Sequence, residues 1–295
     1  MNGLLLVNKD AGMTSHDVVA RVRRLLNTRE VGHSGTLDPM ATGLMVLLIG
    51  EATKLSSFVT EGDKSYEVGF KLGVTTDTLD TTGTVLTEKQ VLNSPEEISK
   101  TALSLSGEFN LPIPMFSAKK VDGKKLYEYA REGETVEVPN KLMKFWDVKK
   151  ISEAEYSLHC SKGTFIRSWV KLLGETLGPG AVMSSLKRTS SHKYHVEDAL
   201  TLAQLEGLSA QEISSKLIPM DQALKGVKSI RIKGQDAVLM KNGQISHPLR
   251  SQLITRFNPD LDEVIQILPE EKGKILALIG IEKTQGFKIK RVFNC

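Results

Sequence analysis

Cysteine is almost missing from this chain: its 295 residues hold only Cys160 and Cys295. Two thiols are too few for a disulfide framework, so a reducing cytoplasm is the expected setting. Long apolar runs are missing too. The longest, Leu44 to Ile49, is far short of the roughly 18 residues a membrane span needs and fits a buried strand instead. The opening GLLLV (3–7) runs straight into Asn8-Lys9-Asp10, which excludes the apolar stretch of a signal peptide. No Walker pattern or GxGxxG loop is present, and no repeat or low-complexity tract interrupts the chain.

What is there reads as a globular protein, with 40% hydrophobic and 25% charged residues. The length suits one large domain plus a small one, or two of medium size. Net charge is +4 and the isoelectric point near 8.9. Its distribution is more telling. Between Lys162 and Lys193, six lysines and arginines face only Glu175, and residues 225–295 carry 13 basic against 7 acidic side chains. Positive surface of this kind suits a polyanion such as nucleic acid, although a solvated face has the same composition.

Gly3 to Asn8 reads as a buried strand, followed by a helix capped by Thr14 or Ser15 with Val18, Val22, Leu25 and Leu26 at helical spacing. Tyr66, Val68, Phe70 and Leu72 alternate as in a half-buried strand, as do Tyr156, Leu158 and Cys160. SPEE (94–97) is a capping box with proline at the first helical position, and prolines force 111–114 to be extended. Helices are expected at Lys125 to Arg131, Phe165 to Leu177 and Asp198 to Leu205. Strands and helices intersperse without a βαβ rhythm, which predicts an α+β fold around a mixed or antiparallel sheet. Beyond about residue 223 the pattern changes to short β-like pieces at 229–233, 264–268, 275–281 and 287–292, so the expected domains are 1–222 and 223–295.

HSGTLDPMATG (33–43) is the stretch most unlike its surroundings. An Asp-Pro pair is commonly only a surface turn. Here Asp38 sits among small residues on a loop anchored by an apolar strand, a usual place for catalysis. Its carboxylate could act as nucleophile, general base or metal ligand. Metal ligation has little support: His16 and Asp17 lie on an amphipathic helix, and His192 and His195 have no acid or thiol cluster near them. Asp77 and Asp80 are the candidates for a second carboxylate, but their threonine neighbours suggest a turn. Tyr66 could stack on a base or be an ordinary core residue. In CSKGTFIR (160–167) a strand passes through a glycine turn into a helix and carries Phe165 and Arg167 to the helix start. A carboxylate partner would hold that arginine in a bidentate pair. LKRT (186–189) is either a solvated loop or a phosphate contact.

Taken together these segments resemble the TruB family of bacterial tRNA pseudouridine synthases. GHSGTLDPMATG (32–43) followed by GEATK (50–54) resembles the family signature. GLLLVNK with Thr14-Ser15, KSY (64–66) with Leu72-Gly73, PIPMFSA (112–118), the segment 123–133, CSKGTFIR and LKRT follow in order, so the likeness spans residues 3 to about 222. Residues 223–295 resemble, more weakly, the small β-rich PUA-like RNA-binding domain of such enzymes, through DAVLMKNG (236–243).

The resemblance implies an isomerase that converts uridine-55 in the T-loop of tRNA to pseudouridine by base flipping, in the cytoplasm and as a monomer. It implies no cofactor, no metal, no membrane and no protein partner. Asp38 corresponds to the catalytic aspartate, Tyr66 to the tyrosine that stacks on the target base, and Arg167 to the arginine that pairs with the aspartate. His33 corresponds to a histidine that holds the T-loop open, and Phe165 and Leu186 to residues lining the uracil pocket. Lys9, Lys187 and Arg188 fall at positions expected to contact substrate. Three residues depart from the family pattern: Asp10 stands where proline is usual, Phe165 where tyrosine is common, and His192 where glycine is usual. The competing class is a non-catalytic tRNA-binding or tRNA-folding protein using the same basic surface.

Overall fold

The apolar runs near the N-terminus become the two strands at the centre of the molecule, β1 (Gly3–Lys9) and β3 (Thr42–Ile49), which pair antiparallel over seven residues. Both lack an alternating pattern because both faces are covered. In the computed structural model, which describes residues 1–60, 62–224, 226–256, 264–282 and 286–294, Leu5, Val7, Met45, Leu47 and Ile49 pack with Val18, Val19 and Val22. The intervening Leu4, Leu6, Leu44, Val46 and Leu48 face the other way, against Met220, Leu268, Ile275, Leu278 and Phe293. Each such leucine contributes about 1.5–3 kcal/mol by burial, so these strands form a rigid base for the loop between them.

The connection from β1 to β3 runs through helix α1 (Ser15–Leu25) and the short strand β2 (Val31–His33). Thr14 is the N-cap, its hydroxyl accepting from the Asp17 amide while the Asp17 carboxylate accepts from the Thr14 amide. Downstream come β4 (Lys64–Leu72), α2 (Pro95–Ser104), β5 (Gly107–Pro112), α3 (Leu126–Glu132), β6 (Asn140–Lys150), β7 (Glu155–Cys160), α4 (Ile166–Leu177), β8 (Ala181–Ser191), β9 (Tyr194–His195) and β10 (Leu200–Thr201). The expected capping box at Ser94 and Glu97 is present at the start of α2.

These strands make one mixed sheet in the order β10-β1-β3-β8-β4-β7-β6-β5, with β2 beside β3 and β9 beside β8. The fold is α+β, as expected. β3 and β8 are parallel and touch over only two pairs, Lys187 with Thr42 and Arg188 with Gly43. Gly43 has φ +98°, and a Cβ there would lie 2.3 Å from the Arg188 carbonyl oxygen, so only glycine admits this approach. These two pairs pinch β3 against β8 where the loop 34–41 enters β3.

Residues 229–292 add a second sheet of β11 (Ser229–Arg231), β12 (Val264–Leu268), β13 (Ala277–Glu282) and β14 (Gly286–Val292). Two helices, Gly234–Lys241 and His247–Arg256, pack on it through Met240, Leu249 and Leu253. Leu268, Leu278 and Phe293 carry this unit onto the back of β1 and β3. No helix among the described residues is long and apolar enough to cross a membrane. Cys295 lies outside the described residues.

Two expectations need correcting. Asp198 to Leu205 is not one helix: Leu200 and Thr201 pair with Val7 and Asn8 of β1, and Thr201 then caps a helix at Leu202–Glu206 with Gln204 as its reciprocal partner. LKRT is neither loop nor tip but the interior of β8, between β3 and β4. His192 has φ +57°, in the left-handed region that favours glycine.

Candidate active site

The loop that carries Asp38 is held by its main chain. Ser15, at the first residue of α1, accepts from the Leu37 amide at 2.8 Å and donates to the Leu37 carbonyl at 3.0 Å. The Gly12 amide and the Lys9 ammonium both donate to the Pro39 carbonyl. Lys9 is fully buried, and its Nζ also donates to the carbonyls of Asp10 and Met13. That burial lowers its pKa to about 8. On the other side Arg188, 2% exposed, donates to the carbonyls of Gly35, Thr36 and Leu44 and to the Tyr66 hydroxyl. Two buried cations therefore fasten the loop from beneath.

Lys9 and Arg188, both expected at substrate-contacting positions, are held inside the protein. Lys9 donates to three carbonyls, and Arg188 to three carbonyls and the Tyr66 hydroxyl. Arg188 still borders the cavity described below, where its guanidinium lies 5.7 Å from the centre of the Tyr66 ring. Lys187, by contrast, points to solvent and pairs with Glu67 at 3.0 Å.

Above the loop, Gly163 (φ +68°) turns the chain from β7 into α4 and brings Arg167 into the first turn of that helix. Its Nε meets Asp38 Oδ2 at 3.0 Å and its Nη2 meets Oδ1 at 3.2 Å. Two further donors go to the carbonyls of Thr78 and Phe116, each at 3.0 Å. The arginine is 6% exposed and the aspartate 31%, so the cation is locked while the carboxylate keeps a face open. The Thr78 carbonyl is presented by a tight turn. Asp80, buried, accepts from the Thr78 and Thr82 hydroxyls and the Thr82 amide, and Leu79 sits at φ +64°. Asp80 is a turn-building residue and not a second acid facing Asp38.

Asp38 opens into a cavity of about 630 Å³, within the range that takes up a nucleotide-sized ligand. Tyr66, Phe165, Leu186 and Arg167 line it, so the structure brings four expected site residues to one place with Asp38. Tyr66 projects from β4; burial pushes its hydroxyl pKa up, while the Arg188 charge opposes that shift. His33 is in β2, half-buried, and its Nδ1 accepts from the Gly35 amide at 3.3 Å. Burial first, then the Arg188 charge, holds its pKa below the usual value.

Lys64, Lys119 and Lys141 also line the cavity, and burial followed by the Arg188 charge pushes the Lys64 pKa down. Lys119 and Lys141 escaped the sequence reading because they lie on segments far apart in the chain, and nothing local marks them. Asp38 is the only acid among the lining residues. Among the described residues no three His, Cys, Asp or Glu side chains gather as metal ligands. Such a site can place one carboxylate, backed by a fixed guanidinium, against a planar ring stacked on Tyr66.

The family model described as TruB family pseudouridylate synthase (N terminal domain) matches residues 23–166, and that of the tRNA pseudouridylate synthase B C-terminal domain matches 167–225. The chain is 53% identical to tRNA pseudouridine synthase B of Bdellovibrio bacteriovorus, over 99% of this chain and 97% of that one. It is 41% identical to the enzyme of that name from Alkaliphilus oremlandii, over 82% of each chain. Among solved structures, an H/ACA RNP bound to a substrate RNA containing 2′-deoxyuridine aligns with TM-score 0.67, covering 99% of this chain and 85% of that one. A Cbf5-Nop10-Gar1 complex aligns with the same score and coverage. At 20% and 22% identity these two show a shared fold.

Proposed function

The chain belongs to the TruB family of pseudouridylate synthases and is a tRNA pseudouridine synthase; from that premise we propose that it isomerises uridine-55 in the T-loop of tRNA, with Asp38 as its catalytic carboxylate. The observation that carries this reading is the two-point contact between Arg167 and Asp38 at the edge of the cavity that Tyr66 lines. The reaction breaks the N1–C1′ bond, turns the uracil and rejoins it through C5. One carboxylate suffices, by attack at C1′ or C6 or by removing a ribose proton.

To reach Asp38 the uridine leaves its stack, which costs a few kcal/mol. Stacking on Tyr66 returns about 1–3 kcal/mol of that. In this reading Phe165 and Leu186 hold the uracil faces and edges, and His33 holds the opened T-loop. Phe165 does this without the hydroxyl that a tyrosine would supply. Lys187 on the surface contacts phosphate. Residues 1–222 serve as the catalytic unit, and 223–295 as a PUA-like domain that adds RNA contact on its basic side. The protein acts as a cytoplasmic monomer, without cofactor or metal, on the T arm of tRNA.

Release of tritium from 5-tritiated uridine in an unmodified tRNA transcript tests the reading. Release from that transcript, and none when residue 55 is cytidine, is the expected result. Equal release from both would remove the position assignment. No release from either would favour a tRNA-binding or tRNA-folding protein.

A further inference from the structure

The cavity has more positive charge than the Asp38 chemistry uses. Five cations line it, Lys64, Lys119, Lys141, Arg167 and Arg188, against one carboxylate. Arg167 is spent on Asp38 and two carbonyls, and Arg188 on three carbonyls and Tyr66. Lys119 and Lys141 belong to neither network. Lys119 is exposed in the segment before β6, and Lys141 is the second residue of β6 itself.

Lys141 reaches the Gly163 turn, where its Nζ donates to the Gly163 carbonyl at 2.8 Å. An ammonium has three donors, so two remain for other acceptors. Glycine makes this approach possible, because a Cβ at 163 would lie 2.2 Å from the Lys141 Nζ. Burial, then the charges of Lys119 and Lys162, lower the Lys141 pKa. No acid acts on it in the opposite sense. The first turn of α4 lacks both an acidic residue and a side-chain cap, so this wall of the cavity adds no negative charge. Like charges are held together here at a cost that an anion would relieve.

We propose that Lys119 and Lys141 form a phosphodiester subsite at the rim of the cavity, which grips a backbone phosphate beside the extruded nucleotide. The proposal rests on the tRNA substrate but not on the position of the target uridine. A single-stranded loop with one base turned inward presents flanking phosphates toward the mouth of the pocket, and two lysines there hold the nucleotide at both its base and its backbone. The subsite adds an electrostatic anchor to binding and leaves the chemical step to Asp38.

The test uses the full chain and an unmodified tRNA transcript across a salt series, with binding read in the Asp38→Asn background and turnover read with Asp38 intact. Lys119→Gln plus Lys141→Gln should raise Kd and KM together by about tenfold or more while kcat falls less than about twofold. The slope of log affinity against log salt should become shallower by roughly 0.7 per lost contact, or about 1.4 for the pair. Lys141→Arg, which keeps the charge, should restore most of the slope. An unchanged slope would overturn the proposal, as would a fall in kcat with the slope intact, since that pattern belongs to a lysine that merely props the Gly163 turn. Modification at a uridine other than 55 would count against the position assignment and leave this slope test standing.

Discussion

Arg167 meets Asp38 at two points, Nε to Oδ2 at 3.0 Å and Nη2 to Oδ1 at 3.2 Å, across 129 residues of chain. The same guanidinium ties the carbonyls of Thr78 and Phe116 to the aspartate, so one planar group joins three segments. Lysine keeps the charge but not the fork. Arg167→Lys should lower kcat/KM by about 100-fold, since lysine lacks the planar fork that holds both carboxylate oxygens and two carbonyls at once. Tritium release at subsaturating tRNA reads this directly, and near-normal turnover would argue that the pair is ornamental.

Adjacent residues in β8 should behave in opposite ways. Arg188→Met leaves three carbonyls and the Tyr66 hydroxyl without their donor, so stability should fall by at least about 3 kcal/mol in urea denaturation. Lys187→Met removes an exposed pair with Glu67 and should change stability by less than about 0.5 kcal/mol, while weakening the salt dependence of tRNA binding. Equal stability losses would contradict the assignment of Arg188 to the interior and Lys187 to the surface.

Lys9 gives a pH signature. Its folded pKa is about 8 against an ordinary 10.5, so between those values the unfolded chain holds a proton that the folded chain has released. Stability from this group therefore rises with pH across that window. Lys9→Met abolishes the titration, and the stability gap between wild type and variant should widen between about pH 7.5 and pH 10. A constant gap would mean that the buried ammonium titrates normally.

Gly43→Ala probes the pinch between β3 and β8. Its Cβ would meet the Arg188 carbonyl oxygen at 2.3 Å in a left-handed backbone. The strain should exceed about 2 kcal/mol and reduce turnover as well, because the Asp38 loop leads into β3 and Arg188 of β8 holds the Tyr66 hydroxyl. Unaltered melting of this variant would show that the strands can part without loss.

The sequence made some of this arrangement readable and concealed the rest for identifiable reasons. Asp38, Tyr66, Phe165, Arg167 and Leu186 stand in local motifs, and the structure gathers all five at one cavity. The burial of Lys9 and Arg188 was not legible because a cation in sequence resembles a surface group, and Arg188 in particular depends on carbonyls supplied by distant segments. Arg188 finds its acceptors 144 to 153 residues away, which no local pattern encodes. The buried strands were legible from continuous apolar runs. The helices at 234–241 and 247–256 were not, since each buries only one or two side chains. Asp198 to Leu205 misled because its apolar spacing suits a helix, while pairing with β1 takes Leu200 and Thr201 into the sheet.

In the proposed function one carboxylate, held by one arginine, performs the isomerisation. Asp38→Asn preserves the shape of the loop and removes the charge. Tritium release from 5-tritiated uridine in a tRNA transcript, measured beside tRNA binding by the same preparation, isolates that charge from everything else. Binding should stay within about threefold of wild type while turnover falls by at least about 10⁴-fold, or roughly 5.4 kcal/mol of barrier. Turnover by Asp38→Asn within tenfold of wild type would contradict the proposed function.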